Sequence, residues 1–245
     1  MPGTEVSIAA AEGTAPAWLF KPAGKGPWPA ALMFMDALGI RPAMMEMAER
    51  LSAEGYVVLL PNLFYRSGPP QAFAMGDFAD EGRRAKLMGI IGKASIPAVR
   101  EDTRAYLEFL GKRPEVKGAI GCVGYCYGGS RAMTALGAYP ERVTAAATFH
   151  ASNLANDAPD SPHLLADKMK RGRVYVGIAG IDQSVTPEEE GRLASALRAA
   201  EVDHAIENYP GVRHGFTVSD APVYDRPAAE RAWRRLLGLF QETLH

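Results

Sequence analysis

The chain has 245 residues, of which 47% are hydrophobic and 22% are charged, and its 27 basic and 28 acidic side chains leave a net charge of −1. This length and apolar content predict a single folded domain over residues 1–245 rather than a disordered chain. The balanced charge lacks the basic excess that sequence-independent nucleic-acid binding requires. No apolar run reaches the roughly 18 residues of a membrane-spanning helix. We therefore expect neither a nucleic-acid nor a membrane partner.

Cysteine content and the N-terminus indicate the compartment. Cys122 and Cys126 are the two cysteines, too few for a disulfide scaffold or a zinc cluster. The first residues lack the basic and apolar segments of a secretory signal, so we expect a cytoplasmic protein. Because no group of His, Asp and Glu has metal-ligand spacing, we expect no metal. The sequence leaves a monomer and a homodimer open.

Short apolar runs alternate with amphipathic stretches along the chain. In chain order, predicted strands at 6–9, 17–20 and 29–35 are followed by a helix at 43–53, a strand at 56–60 and a loop-like stretch at 61–80 that overlaps the start of the next helix. Helices at 77–93 and 97–111, a strand at 119–123, a helix at 126–138 and a strand at 143–149 come next. A short helix at 161–170, a strand at 173–178, a helix at 187–199, a strand at 204–209 and a helix at 226–243 complete the chain. This alternation predicts an α/β fold with a mostly parallel, doubly wound sheet and helices on both faces. Ligands then bind at the carboxyl ends of the strands.

A Gly-x-Cys-x-Gly motif, from Gly124 to Gly128, joins a predicted strand to a predicted helix. This is the pattern of a nucleophile elbow, with Cys126 where serine usually stands. The sharp turn strains the backbone of the central residue and leaves no room for side chains two positions away. The start of a helix also favours a thiolate. We therefore interpret Cys126 as the nucleophile and Cys122, inside the strand, as an inert core residue.

A thiol nucleophile needs a histidine base, and the chain has five histidines. His214 and His150 both follow a predicted strand, at the edge where the site is expected. His214 is preferred because α/β-hydrolases carry the base after the last strand. His150 remains a candidate for lining the pocket.

The carboxylate that orients the base is expected in the loop at 179–187, where Asp182 is the only acidic residue. Asp182 would accept a hydrogen bond from the imidazole and stabilise its protonated form. Backbone N–H groups are expected to form the oxyanion hole. Tyr127, which follows the nucleophile, would donate one of them, and the turn at 36–39 would donate the other.

The Gly-Tyr-Cys-Tyr-Gly-Gly motif at 124–129, Asp182 and the Arg-His-Gly-Phe motif at 213–216 together resemble the dienelactone hydrolases of the α/β-hydrolase fold. The resemblance implies a cofactor-independent enzyme that cleaves an ester or an enol-lactone through an acyl-enzyme. It implies a triad of Cys126, His214 and Asp182, and an oxyanion hole formed by the Ala37 and Tyr127 amides. In this family a carboxylate after the third strand helps to deprotonate the thiol, which implies that role for Asp36.

Dienelactone hydrolases hold the substrate carboxylate with two arginines, and the chain departs from that pattern. Four residues after the predicted base it has Val218, whereas Arg84, or its neighbour Arg83, matches the other arginine. The loss of one bidentate anchor alters substrate choice. Two alternatives to a dienelactone-like substrate therefore stay open. One is a hydrolase of larger or uncharged esters or thioesters, and the other is a catalytically silent protein that binds a small molecule on the same fold.

Overall fold

The computed structural model describes residues 3–70 and 72–245. Within these residues, eight strands and six α-helices alternate along the chain. The strands are β1 (Thr4–Ala10), β2 (Gly13–Phe20), β3 (Trp28–Phe34), β4 (Val57–Pro61), β5 (Val116–Tyr125), β6 (Val143–Phe149), β7 (Arg173–Ile181) and β8 (Asp203–Arg213). The helices are α1 (Pro42–Ala53), α2 (Glu81–Lys93), α3 (Ile96–Gly111), α4 (Tyr127–Ala138), α5 (Pro187–Ala199) and α6 (Arg226–Leu244).

All eight strands form one sheet in the order β1-β2-β4-β3-β5-β6-β7-β8. Strand β2 pairs antiparallel with both of its neighbours, and every other pair is parallel. The central strands β3 and β4 are almost entirely buried, as expected for strands that are covered on both faces. The predicted α/β fold with a mostly parallel sheet is thereby confirmed.

Helices pack on the sheet through their apolar faces. Helix α4 packs on β5 and β6 and contacts α3, whereas α6 packs on β5, β6 and β7. On α6, Trp233, Leu236 and Phe240 are buried. Arg50 of α1 joins this layer, because its guanidinium lies 4.2 Å from the centroid of the Trp233 ring and pairs with Glu230.

The predicted elements agree with the structure in type and order, with two differences that matter. The predicted helix at 161–170 is a 3₁₀ helix, Pro162–Lys168. The predicted strand at 204–209 extends to Arg213, because β8 continues past a register shift and pairs with the end of β7. This longer strand carries the next residue, His214, to the edge of the sheet where ligands bind. The expectations for the first two residues and for position 71 concern residues outside those described.

Among the described helices, none combines the length and the apolar character needed to cross a bilayer.

Candidate active site

Cys126 lies in the tight turn between β5 and α4. Its φ of +53° and ψ of −119° are unusual for a residue with a side chain. A Cβ on Gly124 would lie 2.1 Å from the carbonyl oxygen of Gly128, and one on Gly128 would lie 2.4 Å from that of Phe34. Both glycines are therefore required by the close approach of backbone to backbone. The turn leaves the Cys126 side chain half-buried and facing a cavity.

The second cysteine, Cys122, lies four residues earlier, inside β5. It is fully buried, and this burial raises the pKa of its thiol far above the ordinary value. Since the thiolate is the reactive form, Cys122 has no means of acting as a nucleophile. This agrees with its interpretation as a core residue.

His214 follows β8 directly and Asp182 follows β7, so both lie at the edge of the sheet where β5 ends and Cys126 follows. The Nδ1 atom of His214 lies 2.7 Å from Oδ2 of Asp182. The Asp182 carboxylate is 2% exposed and also accepts hydrogen bonds from the backbone N–H and the hydroxyl of Ser184. Cys126 lies close enough to the same imidazole to raise its pKa. We call Cys126, His214 and Asp182 the catalytic edge.

Electrostatics at the catalytic edge favour a protonated imidazole beside a carboxylate. Burial lowers the pKa of His214, but hydrogen bonds to Asp182 and Cys126 outweigh it and raise that pKa to about 10. Burial alone would raise the pKa of Asp182, whereas hydrogen bonds from His214 and Ser184 hold it below its ordinary value. The arrangement stabilises an imidazolium, which is the state that a base reaches after taking a proton from a nucleophile.

Ala37 and Tyr127, the predicted oxyanion-hole residues, both line the cavity with Cys126. Tyr127 is the first residue of α4, so its N–H has no partner within the helix. Ala37 lies in a turn in which Asp36 accepts hydrogen bonds from the N–H groups of Leu38 and Gly39. No hydrogen bond found among the described residues is donated by the Ala37 N–H.

Asp36 lines the same cavity, but its carboxylate is engaged elsewhere. It forms a bidentate ion pair with Arg41, with N–O distances of 2.7 and 2.8 Å. Arg41 also pairs with Asp220, at 2.7 and 3.0 Å. The side chains of Asp36 and Arg41 are 7% and 6% exposed, so the pair is buried in the cavity wall. The role of Asp36 in activating the thiol stays a prediction.

The two positions predicted to bind a substrate carboxylate differ in their environment. Arg84 is exposed on α2 and is not among the described residues that line the cavity. Val218 is buried and does line it. Phe78, Met88 and Ile91 form an apolar side of the cavity, which we call the α2 wall. A substrate-binding role for Arg84 remains a prediction.

The sequence did not predict a role for Arg131. Its guanidinium lies 3.6 Å from the centroid of the Tyr127 ring and donates to the Tyr127 carbonyl at 3.1 Å. It also donates to the carbonyl of Ala94, just after α2, which accepts the Tyr127 hydroxyl as well. Arg131 thus fixes Tyr127, the residue after Cys126, and ties the end of α2 to Tyr127. The spacing of four residues between Tyr127 and Arg131 on one helix was the available signal.

His150 lies at the end of β6 and lines the cavity, as its position after a predicted strand allowed. Its φ is +40°, its ring centroid is 5.1 Å from that of His214, and its Nε2 lies 2.7 Å from the Thr217 hydroxyl. Burial and the neighbouring His214 hold its pKa well below the ordinary value. Its environment therefore favours the neutral imidazole, and its ring packs against that of His214.

The cavity above the catalytic edge has a volume of about 640 Å³, within the range of pockets that bind small organic molecules. The cavity is lined by the catalytic edge and by the α2 wall. This arrangement can hold a carbonyl compound beside a thiol, an imidazole and backbone N–H donors. Such groups can carry out acyl transfer.

Comparisons with known proteins agree with this chemistry. The sequence model of the dienelactone hydrolase family matches residues 15–244. A Synechocystis protein, provisionally named carboxymethylenebutenolidase, is 31% identical over 233 residues, which cover 93% of this chain and 91% of the relative. A protein of Escherichia coli K12 with the same provisional name is 26% identical, over 89% of this chain and 78% of the relative.

Solved structures share the fold over the whole chain. A Klebsiella pneumoniae protein, provisionally described as a dienelactone hydrolase, superposes with a TM-score of 0.83 at 22% identity and covers 98% of both chains. A dienelactone hydrolase-like promiscuous phosphotriesterase from metagenomic libraries superposes with a TM-score of 0.80 at 23% identity, over 100% of both chains.

Proposed function

This chain belongs to the dienelactone hydrolase family, and from that premise we propose that it hydrolyses an ester or lactone through a triad of Cys126, His214 and Asp182. The observation that carries the proposal is the position of His214, whose imidazole lies 2.7 Å from a buried carboxylate and lines the same cavity as the half-buried Cys126 thiol. A thiol, a base and an orienting acid in this order are what covalent acyl transfer requires.

In the first half of the reaction, the Cys126 thiolate attacks the carbonyl carbon and forms a C–S bond. The carbonyl oxygen becomes an oxyanion, which the Ala37 and Tyr127 N–H groups stabilise. The intermediate then collapses: the C–O bond to the alcohol breaks, and protonated His214 donates its proton to the departing oxygen. An acyl-enzyme and an alcohol result, or the opened ring in the case of a lactone.

In the second half, water attacks the acyl carbon while His214, now neutral, accepts a proton from that water. The C–S bond breaks, the acid leaves, and the thiolate is restored beside the imidazolium. Asp182 keeps the imidazole in the required orientation and stabilises its protonated form throughout. Its carboxylate is suited to this role because it is 2% exposed and its pKa lies below the ordinary value.

A second candidate function is the hydrolysis of esters that carry no carboxylate. The observation that favours it is the cavity lining, in which Val218 is buried at the position of the expected arginine and the α2 wall is apolar. A panel of aryl and enol esters with and without a carboxylate next to the scissile bond separates the two functions. Faster cleavage of the uncharged members supports the second.

The triad is tested with Cys126→Ala and Cys126→Ser and a small aryl ester as substrate. We expect Cys126→Ala to lose at least about a thousandfold in rate, because no other described thiol faces the cavity. We expect Cys126→Ser to keep a weak remnant of the activity.

Iodoacetamide should label Cys126 well before Cys122 in the native protein, because Cys122 is fully buried. Full activity in Cys126→Ala would reject the mechanism, and binding without turnover by the wild type would support a silent binding protein.

A further inference from the structure

Exposed large hydrophobic side chains are few in the described part of the chain: Met88, Leu164, Ile181 and Tyr224. Two of them, Met88 and Ile181, line the catalytic cavity, and they are 53% and 49% exposed. Single exposed apolar residues are ordinary on a protein surface. Two that line one cavity together with Cys126 place exposed apolar surface in the compartment that holds the thiol.

Met88 is not needed to anchor its helix. Leu87 and Ile90 are the buried residues of α2, and they hold the helix against the rest of the protein. Met88 and Ile91 are three positions apart and therefore share a face, and both line the cavity. Helix α2 thus presents one apolar stripe to the core and a second one to the cavity.

Ile181 approaches the cavity from the sheet. It is the last residue of β7 and directly precedes Asp182 of the catalytic edge. Ala179, two positions earlier on the strand, is buried, whereas Ile181 is 49% exposed and lines the cavity.

We propose that Met88 and Ile181 form a subsite that binds an apolar chain of the substrate, and this inference rests on the proposed function. The volume of about 640 Å³ is more than a small acyl group such as acetyl needs. A chain that extends from the reacting carbonyl would cover the exposed side chains of Met88 and Ile181 and remove apolar surface from water. The substrate class is therefore an ester with an aliphatic chain of about four to eight carbons.

The chain can belong to the acyl part or to the alcohol part of the ester, and the two sources share the same chemistry. Two series of substrates distinguish them. In p-nitrophenyl acetate, butyrate, hexanoate and octanoate the acyl chain grows. In ethyl, butyl, hexyl and octyl acetate the alcohol chain grows. We expect kcat/KM to rise by about two- to fourfold per methylene group in one series, up to the length that the cavity accepts.

The variant Met88→Gln keeps helix propensity and length but adds a polar amide. We expect it to lower the octanoate-to-acetate ratio of kcat/KM by about tenfold in the responsive series. Ile181→Thr, which keeps the branched Cβ, should lower the ratio in the same direction. Leu164→Gln is the matched control, because Leu164 is 57% exposed and is not among the described residues of the cavity. It should leave the ratio unchanged.

A binding measurement separates this inference from the proposed function. Calorimetric titration of Cys126→Ala with methyl hexanoate and methyl acetate should show tighter binding of the longer ester, and Met88→Gln in the same background should reduce that preference. If acetate esters are cleaved but neither series depends on chain length, the subsite is rejected and the triad stands. If no ester is cleaved by the wild type, the proposed function fails instead.

Discussion

The catalytic edge and the α2 wall both line one cavity, but they are held in different ways. Cys126, Asp182 and His214 each follow a strand of the parallel sheet directly, so the hydrogen-bonding register of β5, β7 and β8 fixes their relative positions. The α2 wall belongs to a stretch, 62–94, that contributes no strand among its described residues. It is held through contacts such as the Phe73 N–H to the Leu38 carbonyl, at 2.8 Å.

Because of this difference, we expect the catalytic edge to determine the rate of the chemical step and the α2 wall to determine the choice of substrate. Residues that follow paired strands move only if the sheet moves, which suits groups that must meet within hydrogen-bond distance. A wall carried by a helix and its loops can change its side chains without disturbing that geometry. Changes at the catalytic edge should therefore slow every substrate alike, whereas changes in the α2 wall should alter the ratio between substrates.

The largest effect is expected for Asp182→Asn. The amide keeps the shape of the carboxylate but has no charge to stabilise the imidazolium, and it favours the wrong tautomer of His214. We expect kcat to fall by about 10³- to 10⁴-fold, by the same factor for short and long esters. Steady-state kinetics on an aryl acetate and an aryl octanoate measure both values.

Asp157→Asn is the control for that measurement, since Asp157 pairs with Arg192 at the surface and its side chain is 93% exposed. Its rate should match the wild type. A loss below tenfold in Asp182→Asn, or a loss confined to one chain length, would contradict the assignment of Asp182 to the chemistry.

The sequence predicted that Cys126, Asp182 and His214 would meet at one edge of the sheet, because local signals mark each of them. Gly124 and Gly128 report the close backbone contacts of the turn at Cys126. Asp182 and His214 each stand after a recognisable strand, and parallel strands bring their carboxyl ends together. The types and the order of the helices and strands could be predicted because hydrophobic periodicity is also a local signal, which spans about ten residues.

The surroundings of the site could not be predicted in this way, because they depend on side chains far apart in the chain. Arg41 pairs with Asp220, 179 positions away, and no local pattern reports such a contact. Arg131 reaches Ala94 across 37 positions. The same reason prevented the sequence from predicting that α2 lines the cavity.

The next effect concerns Arg41, which joins the turn that carries Ala37 to the loop that follows His214. Arg41→Met leaves the Asp36 carboxylate buried without a charged partner. Breaking a buried pair in this way costs about 3–5 kcal/mol, and we expect the free energy of unfolding to fall by that amount. Urea denaturation monitored by circular dichroism measures it.

Arg50→Met provides the comparison, because Arg50 and Glu230 are paired at the surface, with side chains 45% and 35% exposed. We expect a loss of at most about 1 kcal/mol. Equal losses in the two variants would show that the pair of Arg41 and Asp36 has no special part in the cavity wall.

The smallest effect is the pH dependence of the stability that His214 contributes. Its pKa in the folded chain is about 10, whereas the ordinary value for histidine is 6.5. A raised pKa means that the folded state holds the proton more tightly, so the contribution is complete below about pH 6.5 and is lost as the pH rises towards 10. The difference in unfolding free energy between the wild type and His214→Gln should shrink by about 1–2 kcal/mol over that range, since solvent screens a side chain that is 29% exposed.

His163→Gln tests the sign of this linkage, because burial and then the charge of Arg192 lower the pKa of His163. A lowered pKa in a base favours the folded state as the pH rises through 6.5, and the effect is complete before pH 8. The unfolding free energy of the wild type, relative to that of His163→Gln, should therefore increase as the pH rises towards 7. It should show no further change up to pH 10. If the His214 difference also stays constant from pH 7 to 10, the imidazolium beside Asp182 contributes nothing to stability. The positions of the catalytic edge would then be maintained by the strand register alone, without an electrostatic contribution from His214 and Asp182.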